Sequence, residues 1–191
     1  MTVSRSFTVD TILTYFSQAL VVILGVAIVK IMASVLSSDE LGIYLLSRRF
    51  IFIGGPIITL NLGMGLAWIH GINRPGSKQL FYLTIYIEIF LFLLTTLLIS
   101  LNLNYFNRLL FDDEKFATMI YPVLTFLFAS GFQVLFVGYW RGNRRYRMMN
   151  IANIMYRLSS LLVLVTIIFI KKEAFLITYF YSGGILIVVT N

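Results

Sequence analysis

The sequence predicts an all-α integral membrane protein, a bundle of about six transmembrane helices. Three observations carry that expectation. Apolar residues make up 59% of the 191-residue chain and charged residues only 12%, whereas a soluble domain has roughly 45–50% apolar and about 25% charged residues. The mean hydropathy is +0.90. A single core of this size cannot hide so much apolar surface, so lipid must cover it. The apolar residues also gather into runs near the ~20 residues that cross a bilayer as a helix.

In order, the expected spans are 11–34, 41–70, 80–103, 116–140, 148–170 and 174–191, forming one transmembrane bundle. The first follows Arg5, but its apolar region is too long for a signal peptide and lacks a small-x-small cleavage site, so it reads as an uncleaved helix. Lys30, near its end, reaches the interface along its own stem. Ser37-Ser38-Asp39-Glu40 reads as a capping box that opens the second helix. From there to Ile69 is roughly 46 Å of helix, too long for a ~30 Å core unless it tilts or breaks. Gly54-Gly55-Pro56 is the expected break and hinge. The third span carries Glu88 and the fifth carries Arg157, while the fourth is free of charge. The sixth is the shortest.

Charge follows topology rather than a nucleic-acid partner, although the net charge is +7. Arg141, Arg144, Arg145 and Arg147 crowd one short connection. That places them, and with them Arg5, Arg74, Lys78 and the N-terminus, on the cytoplasmic side of the membrane. Lys30, Arg108, Lys115, Lys171 and Lys172 fall on the other side. Asp112-Asp113-Glu114 reads as a solvated acidic loop, the alternative of a calcium site lacking the ligand spacing. Trp68, His70, Tyr139 and Trp140 read as interfacial anchors.

Several chemistries are excluded. The chain has no cysteine and one histidine, so there is no thiol chemistry and no histidine pair for a metal. It holds no phosphate-binding glycine loop, no His-Glu-x-x-His and no nucleophile elbow. No catalytic residue, cofactor or metal is therefore expected. The connections are too short for the acid- and base-bearing loop of a membrane glycosyltransferase or polymerase.

Charge inside a span points to function, because it costs about 2.5–3.5 kcal/mol at the bilayer centre on insertion scales. Glu88 and Arg157 lie roughly 13 and 15 Å into helices that enter from the same side, so they share a depth. Arg48 and Arg49 approach from the opposite face. Polar residues accompany these charges at helical spacing: Asn150, Asn153, Arg157 and Ser160; Thr84, Glu88 and Thr95; Asp10, Thr14 and Gln18; Tyr121, Thr125 and Gln133. Such stripes suit a hydrated cavity lined by Arg48, Arg49, Glu88, Asn150, Asn153 and Arg157. An ion pair between Glu88 and Arg157 that merely ties two helices together is the other reading.

Two stretches resemble a known group. The first is Leu36-Ser37-Ser38-Asp39-Glu40-Leu41-Gly42-Ile43-Tyr44, followed by Leu62-Gly63-Met64-Gly65-Leu66-Ala67. The second is Trp140-Arg141-Gly142-Asn143-Arg144-Arg145-Tyr146. Both are similar to segments of the O-antigen and exopolysaccharide flippases of the multidrug/oligosaccharidyl-lipid/polysaccharide exporter superfamily. The resemblance implies the N-terminal half of a two-bundle flippase, partnered by a second half or other polysaccharide-assembly proteins. It implies translocation of an undecaprenyl-diphosphate-linked oligosaccharide, amid membrane lipids, across a bacterial inner membrane, with no enzymatic step. Arg48, Arg49 and Arg157 would meet the diphosphate or the sugar, and Gly54, Gly55 and Pro56 would bend. A cation-coupled drug exporter of the same superfamily, with Glu88 as coupling residue, and an inactive fragment are the alternatives.

Overall fold

A computed structural model describes residues 2–72, 77–111, 118–170 and 175–190. The acidic run at 112–114, Arg74 and the lysines at 171 and 172 lie outside the described residues. Eight helices are present among those described: α1 (Thr2–Val35), α2 (Ser38–Ile58), α3 (Leu62–Gly71), α4 (Ser77–Leu101), α5 (Leu103–Phe111), α6 (Ile120–Gly142), α7 (Tyr146–Ile170) and α8 (Phe175–Thr190). Five are long and apolar enough to cross a membrane, namely α1, α2, α4, α6 and α7, and α8 is a shorter apolar helix. The protein is an all-α membrane bundle.

Local chemistry explains the helix ends. The capping box at the start of α2 forms: the Ser37 amide donates to Glu40 Oε2 at 3.0 Å, and Ser37 Oγ accepts from the Glu40 amide. This satisfies two amides that a helix start leaves free. Between α6 and α7 the chain turns in three residues. Arg144 adopts φ 57°; its amide bonds the Arg141 carbonyl, and the Arg145 amide bonds that of Trp140 at 2.8 Å. This is a Schellman closure with arginine where glycine is usual. α5 was read from sequence as part of a connection. Nine residues, with Asn107 buried, make it too short for the hydropathy of a span to reveal.

α6 is the axis. In its apolar window 56% of residues are buried, against 11% in α1 and α4, so α6 is wrapped by helices whose outer faces meet lipid. α4 runs antiparallel to α6, as a ladder of contacts shows. Phe81 meets Tyr139 with ring centroids 4.5 Å apart, Glu88 meets Gly131, Phe92 stacks on Phe128 at 4.1 Å, and Ser100 reaches Tyr121. α3 lies parallel to α6 with backbones in contact. A Cβ on Gly63 would sit 2.5 Å from the Val134 carbonyl oxygen, and one on Gly142 would sit 2.6 Å from His70 Cβ; one on Gly138 would strike the Gly63 carbonyl. Small residues at such spacing allow helices to approach closely in lipid, where no hydrophobic force drives them together. His70 is buried, not an interfacial anchor, and its Nδ1 lies 3.1 Å from the Leu66 carbonyl.

The remaining core is aromatic. Tyr44 of α2, Phe126 of α6, Tyr156 of α7, and Tyr179 and Phe180 of α8 share one cluster, with centroids 5.5 Å apart for Phe126–Phe180 and 6.0 Å for Tyr44–Tyr179. Edge-on ring contacts at these separations fix relative helix orientation better than aliphatic packing does.

Candidate functional site at the helix break

The span expected over 41–70 is two helices. The break does not fall at Gly54-Gly55-Pro56, which stays helical within α2, but directly after it. Thr59 caps α2, and Leu60 and Asn61 both take left-handed backbone, φ 50° and 51°. The Leu60 amide bonds the Ile57 carbonyl and the Asn61 amide bonds that of Pro56 at 3.2 Å. This is a second Schellman closure, again without glycine. A left-handed conformation costs an ordinary residue about 1–2 kcal/mol, which the two closing backbone bonds offset, since the Leu60 side chain is itself exposed. Pro56 contributes differently. It has no amide proton, so the Phe52 carbonyl lacks its helical donor.

The break lies at mid-height. A Cβ on Gly131 would meet Thr59 Cγ2 at 3.0 Å, and Gly131 is the middle residue of α6, roughly 16 Å from either end. Glu88 stands close to the middle of α4 and Arg157 close to the middle of α7. Here a cavity of about 290 Å³ opens between α2, α6 and α7. Gly55, Pro56, Thr59, Asn61, Gly131, Gln133, Tyr156 and Arg157 are among the residues lining it. Asn61 is the N-cap residue of α3, yet its side chain makes no capping bond. The C-terminus of α2 and the N-terminus of α3 thus meet at one cavity. Such a meeting presents carbonyls with negative potential and amides with positive potential in the same place.

The predicted residues separate into groups. Arg157 lines the cavity, with its guanidinium carbon 5.3 Å from the Tyr156 ring centroid and its Nε without a hydrogen-bond partner. Asn153 accepts a 2.9 Å hydrogen bond from Gln133 Nε2, so it positions a lining residue. Arg48 stands one turn before the lining residues Ile51 and Phe52. It donates to Tyr44 Oη at 3.3 Å, and both it and Arg157 lie within electrostatic reach of Tyr156. Arg49 is exposed on another face of α2. Asn150 lies elsewhere: it donates to Thr14 Oγ1 at 3.1 Å and fastens α7 to α1. Gly55 and Pro56 line the cavity, whereas Gly54 faces Phe50 and Leu127.

Glu88 is 3% exposed and presses against Gly131, where a side chain of any size would displace it. Its Oε2 has no hydrogen-bond partner, and among the described residues no ion pair reaches it. The Glu88–Arg157 pair left open by the sequence is therefore absent. The two share a height but stand on different helices around α6. Several stripe residues also bond within their own helix. The hydroxyls of Thr14, Thr84, Thr125 and Ser160 donate to backbone carbonyls three or four residues earlier, a local bond that needs no cavity, and Thr14 in addition accepts from Asn150 across to α7. Sequence reasoning missed Thr59, Asn61 and Gly131. Asn61 was the legible one, since asparagine tolerates left-handed backbone and here ends an apolar helix.

No family model, curated protein or solved structure matches the chain.

Proposed function

We propose that the chain is one transmembrane bundle of a polysaccharide-lipid flippase of the multidrug/oligosaccharidyl-lipid/polysaccharide exporter superfamily. It works in a bacterial cytoplasmic membrane as a transporter rather than an enzyme. It carries an undecaprenyl-diphosphate-linked oligosaccharide from the inner to the outer leaflet, together with a second bundle or other polysaccharide-assembly proteins. The single observation behind this reading is the broken helix at mid-height, whose cavity is lined in part by Arg157. Discontinuous helices at the bilayer midplane are where secondary transporters bind charged cargo. A guanidinium with an unused donor, beside a helix N-terminus, suits an anionic phosphate. The lipid tail stays in the bilayer while the polar head crosses through the cavity. The α6–α7 turn exposes Arg141, Arg144, Arg145 and Arg147 at one end, which favours the cytoplasm for that end.

The test is removal of the encoding gene, followed by mass spectrometry of membrane lipids. Polyprenyl-diphosphate oligosaccharides accumulate, the wild-type chain with its native partners relieves the accumulation, and a chain carrying Arg48→Gln and Arg157→Gln does not. No accumulation, in cells that make such a glycan without another flippase, overturns the proposal. One observation favours a second reading. The unpaired Glu88 carboxyl at the same height suits a cation-coupled drug exporter. In that case Glu88→Gln abolishes drug efflux and leaves the lipid-linked glycans unchanged.

A further inference from the structure

A second polar opening is not explained by the mid-height cavity. Between α1 and the α6–α7 turn lies a groove of about 440 Å³, lined by Asp10, Thr11, Thr14, Tyr15, Gln18, Arg141, Tyr146 and Met149. Its volume falls within the roughly 300–1,000 Å³ of small-molecule sites. Thr14 is level with Asn150, to which it is bonded, one turn inside the start of α7. Gln18 is a further turn down. The groove therefore descends from the arginine-bearing end to roughly 12 Å below Tyr146.

That depth makes the lining unusual. Gln18 is exposed on α1, a helix whose apolar window is only 11% buried, so an amide stands where a lipid-facing helix would carry a hydrocarbon. Asp10, Thr14 and Gln18 repeat at four-residue spacing and form one stripe along the groove. The groove floor is held by α1–α7 bonds: Asn150 donates to Thr14, Ser17 Oγ donates to the Asn150 carbonyl, and Asn150 Oδ1, on a side chain 2% exposed, has no partner.

We infer that this groove is a glycan-binding site, which takes one or two sugar rings of the cargo before the head group moves to mid-height. The inference rests on the flippase reading and names where the sugar, as distinct from the phosphate, is recognised. The chemistry is that of carbohydrate binding. The Asp10 carboxylate accepts from neighbouring hydroxyls, the Gln18 amide and the Arg141 guanidinium supply planar donors, and Gln18 and the threonine hydroxyls also accept. The Tyr15 and Tyr146 rings offer faces for the apolar side of a pyranose. Arg144, Arg145 and Arg147 project from the adjacent turn into solvent, within reach of a phosphate held at the membrane surface. An amphiphile with its tail in the bilayer and its phosphate at this turn would lay its sugars along α1.

The test titrates the purified chain in lipid nanodiscs with two probes, bare undecaprenyl diphosphate and the same lipid carrying a hexose disaccharide. In the wild type the disaccharide is expected to tighten binding about tenfold over the bare lipid, or ~1.4 kcal/mol. Asp10→Asn with Gln18→Ala removes that gain and leaves the bare lipid's affinity unchanged. Tyr146→Ala, from the other wall, reduces it independently, and unchanged unfolding midpoints exclude misfolding. Arg157→Gln weakens both probes equally. If the sugar gives no gain, or the gain survives both groove variants, the inference is overturned while the flippase reading stands on the bare lipid. If neither probe binds the wild type, both fall together.

Discussion

Leu60 and Arg144 occupy backbone that glycine adopts freely, and both close Schellman motifs. Each is mostly solvent- or lipid-facing, so its side chain contributes little packing. Arg144→Gly and Leu60→Gly are each expected to raise stability by about 1 kcal/mol, read as a higher unfolding midpoint in detergent. A fall would mean that the side chains hold the turn. Gly131 poses the opposite problem. Its bare α-carbon makes room for the Glu88 carboxyl, so Gly131→Ala should cost about 1–3 kcal/mol. Combined with Glu88→Ala, most of that cost should vanish, because the two changes act on one contact. Additive losses would show that Glu88 does not occupy that space. At this scale the sequence was legible in part. Depth counted along a helix gave Glu88 and Arg157 a common height, but it carries no information about which way each faces around α6. The pairing therefore could not be read, and neither could the unpartnered state of Glu88.

At the scale of elements, the long helices follow from hydropathy and the α2 start from its capping box. The break did not follow. Glycine and proline are generic helix breakers, so 54–56 attracted the reading, yet a single proline leaves only one carbonyl without a donor and the helix continues through it. The chain turns where two left-handed residues close the end, and Leu60 gives no sequence signal for that. α3 is then fixed by its backbone contact with α6, through Gly63 and Gly138. Gly138→Val forces a side chain into the backbone of α3, which cannot yield, and is expected to destabilise by about 3 kcal/mol or more. Gly65 meets nothing within 4 Å, so Gly65→Ala should be neutral or slightly stabilising. Equal effects at the two glycines would show that α3 and α6 are not in close contact.

For the whole molecule, the membrane class was legible because composition alone decides it. The division of the polar residues was not. Six residues were expected around one cavity, but the helices place them in three settings: at mid-height, at the α1–α7 seam, and on the exposed face of α2. Packing of α7 against α1 and of α6 against α2, α4 and α7 makes this division, and such packing depends on contacts between segments distant in the chain. What remains is a lipid-facing bundle with a cavity at mid-height, lined in part by Arg157, where one helix breaks halfway.

Whether water reaches that cavity can be measured directly, because the chain has no cysteine of its own. Asn61→Cys and Gln133→Cys line the cavity, while Phe90→Cys, from a residue 63% exposed on α4 near the height of Glu88, faces lipid. In membrane vesicles, a charged thiol reagent that labels thiolates only in water should modify the first two and spare the third. Labelling of Phe90→Cys alone, or of none of the three while a surface control at Arg145→Cys reacts, would contradict a hydrated site at the helix break.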